Sequence, residues 1–174
     1  IVPRADEYLG EYIPAHNERM LWISGFTGSA GAVVILQDRA AIFVDGRYTV
    51  QVRNEVDSQL FEYCHLIKEP HAQWIAEQLS DGARVLCDPR MHSLNWYRST
   101  QSTLAAAGLN LLADTDNVID HCWSGRPEPK IGPALLLEEA FTGSSSAAKR
   151  RRIAADVAAK GADAALIFAP DSVS

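Results

Sequence analysis

Two apolar runs, Val33 to Leu36 and Ala41 to Val44, flank the polar residues Gln37, Asp38 and Arg39, a pattern that predicts a β-hairpin. Asp45 and Gly46 then form a turn that delivers Arg47 and Tyr48 at a strand end. Ahead of the hairpin, Gly25, Gly28 and Gly31 are spaced three apart and let the chain bend or approach other backbone closely. Val52 and Val56, four apart, predict a helix over Val50 to Asp57, and Leu60 to Ile67 alternates as a further strand. Pro70 opens a helix with Trp74, Ile75 and Leu79 on one face and Gly82 as its stop. Ala83 to Cys87 reads as a buried strand ended by Asp88 and Pro89. Ser93 caps a helix carrying Leu94, Tyr97, Gln101 and Leu104, Gly108 ends it, and Leu109 to Ala113 returns as a strand. A hairpin followed by alternating strands and helices implies an α/β layer arrangement, a mixed sheet flanked by helices. The polar stretch from Asp6 to Asn17 reads as loop that can hold a short helix, before Glu18 to Ile23 enters the hairpin region.

Proline and glycine accumulate from Ser124 to Gly143 and mark an extended connector. Beyond it, Ser144 to Gly161 predicts a helix, with Ile153 and Val157 four apart, and Ala164 to Phe168 predicts a strand. The organisation expected is therefore a first domain over 1–127, a linker over 128–143, and over 144–174 the opening helix and strand of a truncated second domain. One strand leaves its backbone donors and acceptors unpaired on both edges, so this tail is expected to dock on the first domain or on a neighbouring chain.

Composition narrows the function classes. With 47% hydrophobic residues in 174, the chain can bury a core. A formal charge of −6 argues against non-specific binding to nucleic acid or anionic membranes, which need a basic surface. No apolar run approaches the roughly 20 residues of a bilayer span. Cys64, Cys87 and Cys122 have no metal-site spacing and are expected as reduced, buried thiols. His16, His71 and His92 sit singly, and no metal, cofactor or catalytic residue is proposed in this chain.

The strings Ile1 to Tyr12 (IVPRADEYLGEY), Ser24 to Gly31 (SGFTGSAG), Val44 to Gln51 (VDGRYTVQ) and Asn117 to Pro127 (NVIDHCWSGRP) carry more than packing. Together with Phe141, Thr142 and Gly143 ahead of a helix, they resemble the amino-terminal part of the three-domain Xaa-Pro aminopeptidases, over the whole chain. The resemblance implies a ribonuclease-H-like fold of the creatinase and prolidase amino-terminal type. It also implies a cytoplasmic parent, a homo-oligomer, that removes the first residue from peptides with proline second. In that family the chemistry lies in a carboxy-terminal catalytic domain, where aspartates, a histidine and glutamates hold two divalent metal ions, usually manganese. The start at Ile1 and the end at Ser174 fit a piece of such a protein, and peptidase activity is not expected from this piece alone.

Arg47 is the candidate site residue. The resemblance implies that it lies beside the cleft and contacts the peptide beyond the proline, binding substrate without taking part in catalysis. A guanidinium on a rigid turn offers a fork of donors for peptide carbonyls or a carboxylate, while the plainer reading is a local ion pair with Asp45. Two other patterns are set aside. The glycines at 25, 28 and 31 precede a strand, whereas a phosphate cradle needs a helix amino terminus. Lys149 to Arg152 places four cations within one helical turn, where they cannot share a face, so a solvated helix is expected. The four tryptophans read as packing. The competing functional reading is a structural domain that mediates oligomer assembly and touches no substrate.

Overall fold

A computed structural model describes residues 1–169 and Ser172. They divide into two compact units, Ile1–Pro129 and a second beginning at Lys130.

The first unit is built on a four-stranded sheet in the order β1 (Val2–Pro3), β2 (Ala32–Ile35), β3 (Ala40–Val44), β4 (Phe61–His65). β1 and β2 are antiparallel, as are β2 and β3, while β3 and β4 run parallel. The hairpin closes through the Leu36 N–H, which donates to the Arg39 carbonyl at 2.8 Å. A second, parallel pair, β5 (Arg84–Cys87) and β6 (Asn110–Ala113), meets the first sheet where the Ile1 nitrogen donates to the Leu86 carbonyl at 2.8 Å. The sheet is mixed and helices flank it, the α/β class expected.

Register explains the layers. Val33 pairs with Ile42 and Ile42 with Tyr63, so these side chains share one face. There they meet Met20 of α1 (Arg19–Ser24), Phe26, and Val52 of α2 (Gln51–Glu55). Val34, Ala41, Phe43 and Cys64 point to the other face, against α3 (His71–Gln78) and α4 (Leu94–Ala106) through Ala72, Trp74, Ile75 and Leu104. β3 is thus buried on both faces, which is why it reads as an unbroken apolar run rather than an alternating one. Burying Ile42 and Phe43 completely contributes about 2–3 kcal/mol each.

Local signals account for most boundaries. Ser93 accepts from the Trp96 N–H at 3.2 Å and starts α4, and Gly108, at φ +77°, lies just past its end. α3 ends sooner than expected: Leu79 closes it, and Gly82 belongs to the turn before β5. α1 was read only as an approach to the hairpin. α1 is held by the packing of Met20 against the sheet and by Gly25, whose N–H donates to the Leu21 carbonyl at 2.7 Å. β1 and α5 (Val118–Cys122), also absent from the sequence-based expectation, depend on distant partners, β2 for the one and Arg19 for the other.

In the second unit, α6 (Glu139–Thr142) precedes α7 (Ser146–Ala159), whose cap Ser145 accepts from the Ala148 N–H. Ala164 to Phe168, expected as a strand, has no ladder among the described residues. Ile167 lines a groove with Ile153 and Val157 of α7, while Leu166 and Phe168 stay largely exposed. Backbone groups of a single extended segment have no ladder partner, so strand composition alone does not make a strand here.

Candidate functional site

β3 ends at Val44 and the chain turns sharply, the Tyr48 N–H donating to the Asp45 carbonyl at 3.0 Å. The Asp45 carboxylate accepts the Arg47 backbone N–H at 2.9 Å, a side-chain turn that fixes its own direction. It also takes the Arg47 guanidinium on one edge, Nε to Oδ1 at 3.1 Å and Nη2 to Oδ2 at 2.8 Å. The local ion pair anticipated as the plainer reading is therefore present. The Arg47 side chain is nevertheless 64% exposed, and its guanidinium lies 5.0 Å from the centre of the Tyr48 ring. The hydrogen bonds from Arg47 hold the Asp45 carboxyl below the usual carboxylate range, so it is ionised at neutral pH.

The glycine-rich loop buttresses this bend. The Tyr48 and Ser29 hydroxyls are 2.8 Å apart, and the Phe26 ring meets the Tyr48 ring edge-on at 5.6 Å. Gly28 is where the two strings approach: a Cβ there would fall 2.2 Å from Phe26 Cζ and 3.0 Å from Tyr48 Cδ1. On the far side, Glu55 of α2 accepts the Thr27 N–H at 2.8 Å and its hydroxyl at 2.7 Å, and the Thr27 N–H is the main cause of a lowered Glu55 carboxyl. Gln51 donates to both Thr27 and Glu55 at 2.9 Å. Behind the loop, Arg4 donates to the Gly28 carbonyl from Nε and pairs with Glu18 at 3.1 Å. The three motif strings within 1–12, 24–31 and 44–51 are thus one hydrogen-bonded assembly, and Arg47 projects from it.

Other polar groups were gathered in ways the sequence did not reveal. Arg19, only 5% exposed in its side chain, forms a two-pronged pair with Asp120 at 2.6 and 2.9 Å, and Arg126 reaches the same carboxylate at 2.8 Å. Burial pushes the Asp120 carboxyl up, but its bonds to Arg19 and the charges of both arginines outweigh that and hold it low. The cluster ties α1 to α5, where Trp22 and Trp123 also stack at 5.7 Å. It is a structural knot, since every guanidinium nitrogen of Arg19 and Arg126 finds an oxygen within the unit.

His71 and His92, expected to sit singly, both stack on Trp96, at 5.5 and 3.5 Å between ring centres. Burial lowers each imidazole to about 4, so both are neutral at physiological pH. Cys64 and Cys87 are buried as expected and burial pushes the Cys64 thiol up to about 12, but Cys122 is exposed. Cys122 lies on α5, where the neighbouring His121 pairs with Asp116. Arg150, Arg151 and Arg152 are exposed on α7.

Among the described residues no group of three or more histidine, cysteine, aspartate or glutamate side chains could hold a metal ion. Among the same residues no helix is long and apolar enough to cross a membrane.

The fold and the paired motifs define a class: residues 5–122 match the creatinase/prolidase N-terminal domain, and the chain belongs to that family. Its relatives narrow the setting. Xaa-Pro aminopeptidase 2 of Homo sapiens is 36% identical over 146 residues, 83% of this chain and 22% of that protein. A probable Xaa-Pro aminopeptidase P of Chaetomium globosum is 34% identical across 100% of this chain and 28% of its own length. Among solved structures, the X-prolyl aminopeptidase of Caenorhabditis elegans, described as a cytosolic enzyme with a di-nuclear active site, superposes with a TM-score of 0.83 at 28% identity. That match covers 99% of this chain and 28% of the other. The chain therefore spans about a quarter of the length of these relatives.

Proposed function

We propose that this chain is the non-catalytic amino-terminal region of a metal-dependent Xaa-Pro aminopeptidase, a cytoplasmic hydrolase releasing the first residue from peptides with proline second. Its task in that protein is to cover the cleft and select substrate, with Arg47 as the peptide contact. Residues 144–174 then begin a second domain of similar type, joined by the linker 128–143, and the two divalent metal ions belong to a catalytic domain beyond this chain. The observation that carries the reading is the bend itself. An exposed guanidinium is held by Asp45 and lies over the Tyr48 ring, whose own hydroxyl is fixed by the Ser29 hydroxyl, more support than a surface arginine needs for solubility.

A covering domain excludes bulky substrates by shape, and a fixed donor fork adds orientation to that exclusion. Arg47→Ala in the complete protein should raise KM for longer peptides by about ten- to hundredfold, the range of one lost charge-assisted hydrogen bond, and leave dipeptides nearly unchanged. Equal effects on both lengths would remove the contact. A change in association state with kinetics intact would favour the assembly reading instead.

A further inference from the structure

We infer that Asp45 sets the charge selectivity of Arg47, so that the bend accepts neutral peptide carbonyls in preference to a free terminal carboxylate. The inference rests on the reading of Arg47 as a peptide contact and names the substrate class that such a contact would favour.

The pair is engaged along one edge of the planar guanidinium, through Nε and Nη2. The other edge, formed by Nη1 and the second N–H of Nη2, makes no hydrogen bond to any described residue, and the side chain is largely in solvent. Two parallel donors thus remain presented outward. Asp45 does not move with them. Its carboxylate is anchored independently by the Arg47 backbone N–H at 2.9 Å, and its side chain is only 17% exposed.

An anion seated on the outer edge would lie one guanidinium width away, roughly 6 Å, from that fixed negative charge. A carbonyl oxygen uses the same donors and carries no net charge, so it escapes the repulsion. Asp45 in this way converts a cationic side chain into a donor fork with little net charge. A peptide that continues past the bend, or ends there as an amide, is preferred over the free acid that ends there.

The test uses the complete protein and peptides with proline second, each prepared at several lengths as the free acid and as the carboxy-terminal amide. The readout is the ratio of kcat/KM for acid over amide, in which any shared loss of positioning cancels. At the length whose terminus reaches the bend, wild type should favour the amide, and Asp45→Asn should raise the ratio by about three- to tenfold, the effect of one charge at that separation in a mostly aqueous dielectric. Longer peptides should show no change. Asp45→Ser, which keeps an acceptor for the turn, should behave alike and guards against a misfolded single variant. If both Asp45 variants leave the ratio unchanged at every length while Arg47→Gln alters the length profile, the inference is wrong and the Arg47 contact stands. If Arg47→Gln also matches wild type, the contact fails and the inference falls with it.

Discussion

The hydroxyl of Tyr48 lies 2.8 Å from the hydroxyl of Ser29, joining the strand-end bend to the glycine-rich loop that precedes the hairpin. The bond lowers the Tyr48 phenol below its usual value, and the Phe26 ring closes the space behind it. Two sequence strings 19 residues apart therefore act as one support for Arg47.

Removing either hydroxyl should loosen the bend without unfolding the domain. Tyr48→Phe and Ser29→Ala should each speed amide exchange at residues 46–49 by about two- to tenfold, the range of one net hydrogen bond. The double variant should add little beyond either single one. Exchange unchanged in both would mean that the loop does not brace the bend.

Glycines in this region separate by what surrounds them. A Cβ on Gly31 would fall 2.7 Å from Met20 Cε and 2.8 Å from the Phe43 carbonyl oxygen, whereas one on Gly46 would meet nothing within 4 Å. Gly31→Ala should cost about 1–3 kcal/mol by overpacking, and Gly46→Ala should stay within about 0.5 kcal/mol. Urea unfolding of the two variants measures the contrast.

The histidine stack predicts the acid side of the stability profile. His71 and His92 are lowered by burial to about 4 against an ordinary value near 6.5, so between these limits the unfolded chain binds more protons. Their contribution is complete above pH 6.5 and is lost as pH falls towards 4. Glu18, which burial holds above its usual value, works weakly in the opposite direction. Thermal melts should show Tm falling through that window, and the variant carrying His71→Gln and His92→Gln should melt lower but more nearly flat.

Asp120 should be the costly member of its cluster. Asp120→Ala strands the Arg19 guanidinium, 5% exposed in its side chain, and should destabilise by about 2–4 kcal/mol, less than a fully buried pair because water reaches the carboxylate. Arg126→Ala, at a site 28% exposed, should cost under about 1 kcal/mol. Equal losses would mean that Arg19 finds other partners.

The sheet was legible wherever a run was long enough to show its period. Ala41 to Val44 announced a strand, and the Ser93 cap and Gly108 bounded α4. β1, α1 and α5 were not legible, because they owe their form to partners distant in sequence, as Arg19 does to Asp120. Ala164 to Phe168 had strand composition, yet composition cannot supply a neighbouring strand. At the candidate site, the motif strings pointed to Arg47 and to the Asp45 pair. The buttress from Ser29, Phe26 and Arg4 was hidden, since hydroxyl and ring contacts across a loop leave no periodic trace. The stacking of His71 and His92 on Trp96 was equally silent, as the three residues come from different elements.

The account turns on whether Arg47 reaches the peptide. A crystal structure of the complete protein with a slowly cleaved peptide bearing proline second decides this most directly. The outer edge of the Arg47 guanidinium is predicted within about 3.2 Å of a peptide oxygen beyond the proline, with the Asp45 pair intact. A peptide bound in the cleft with Arg47 turned away from it, or with no peptide oxygen inside that distance, would contradict the account.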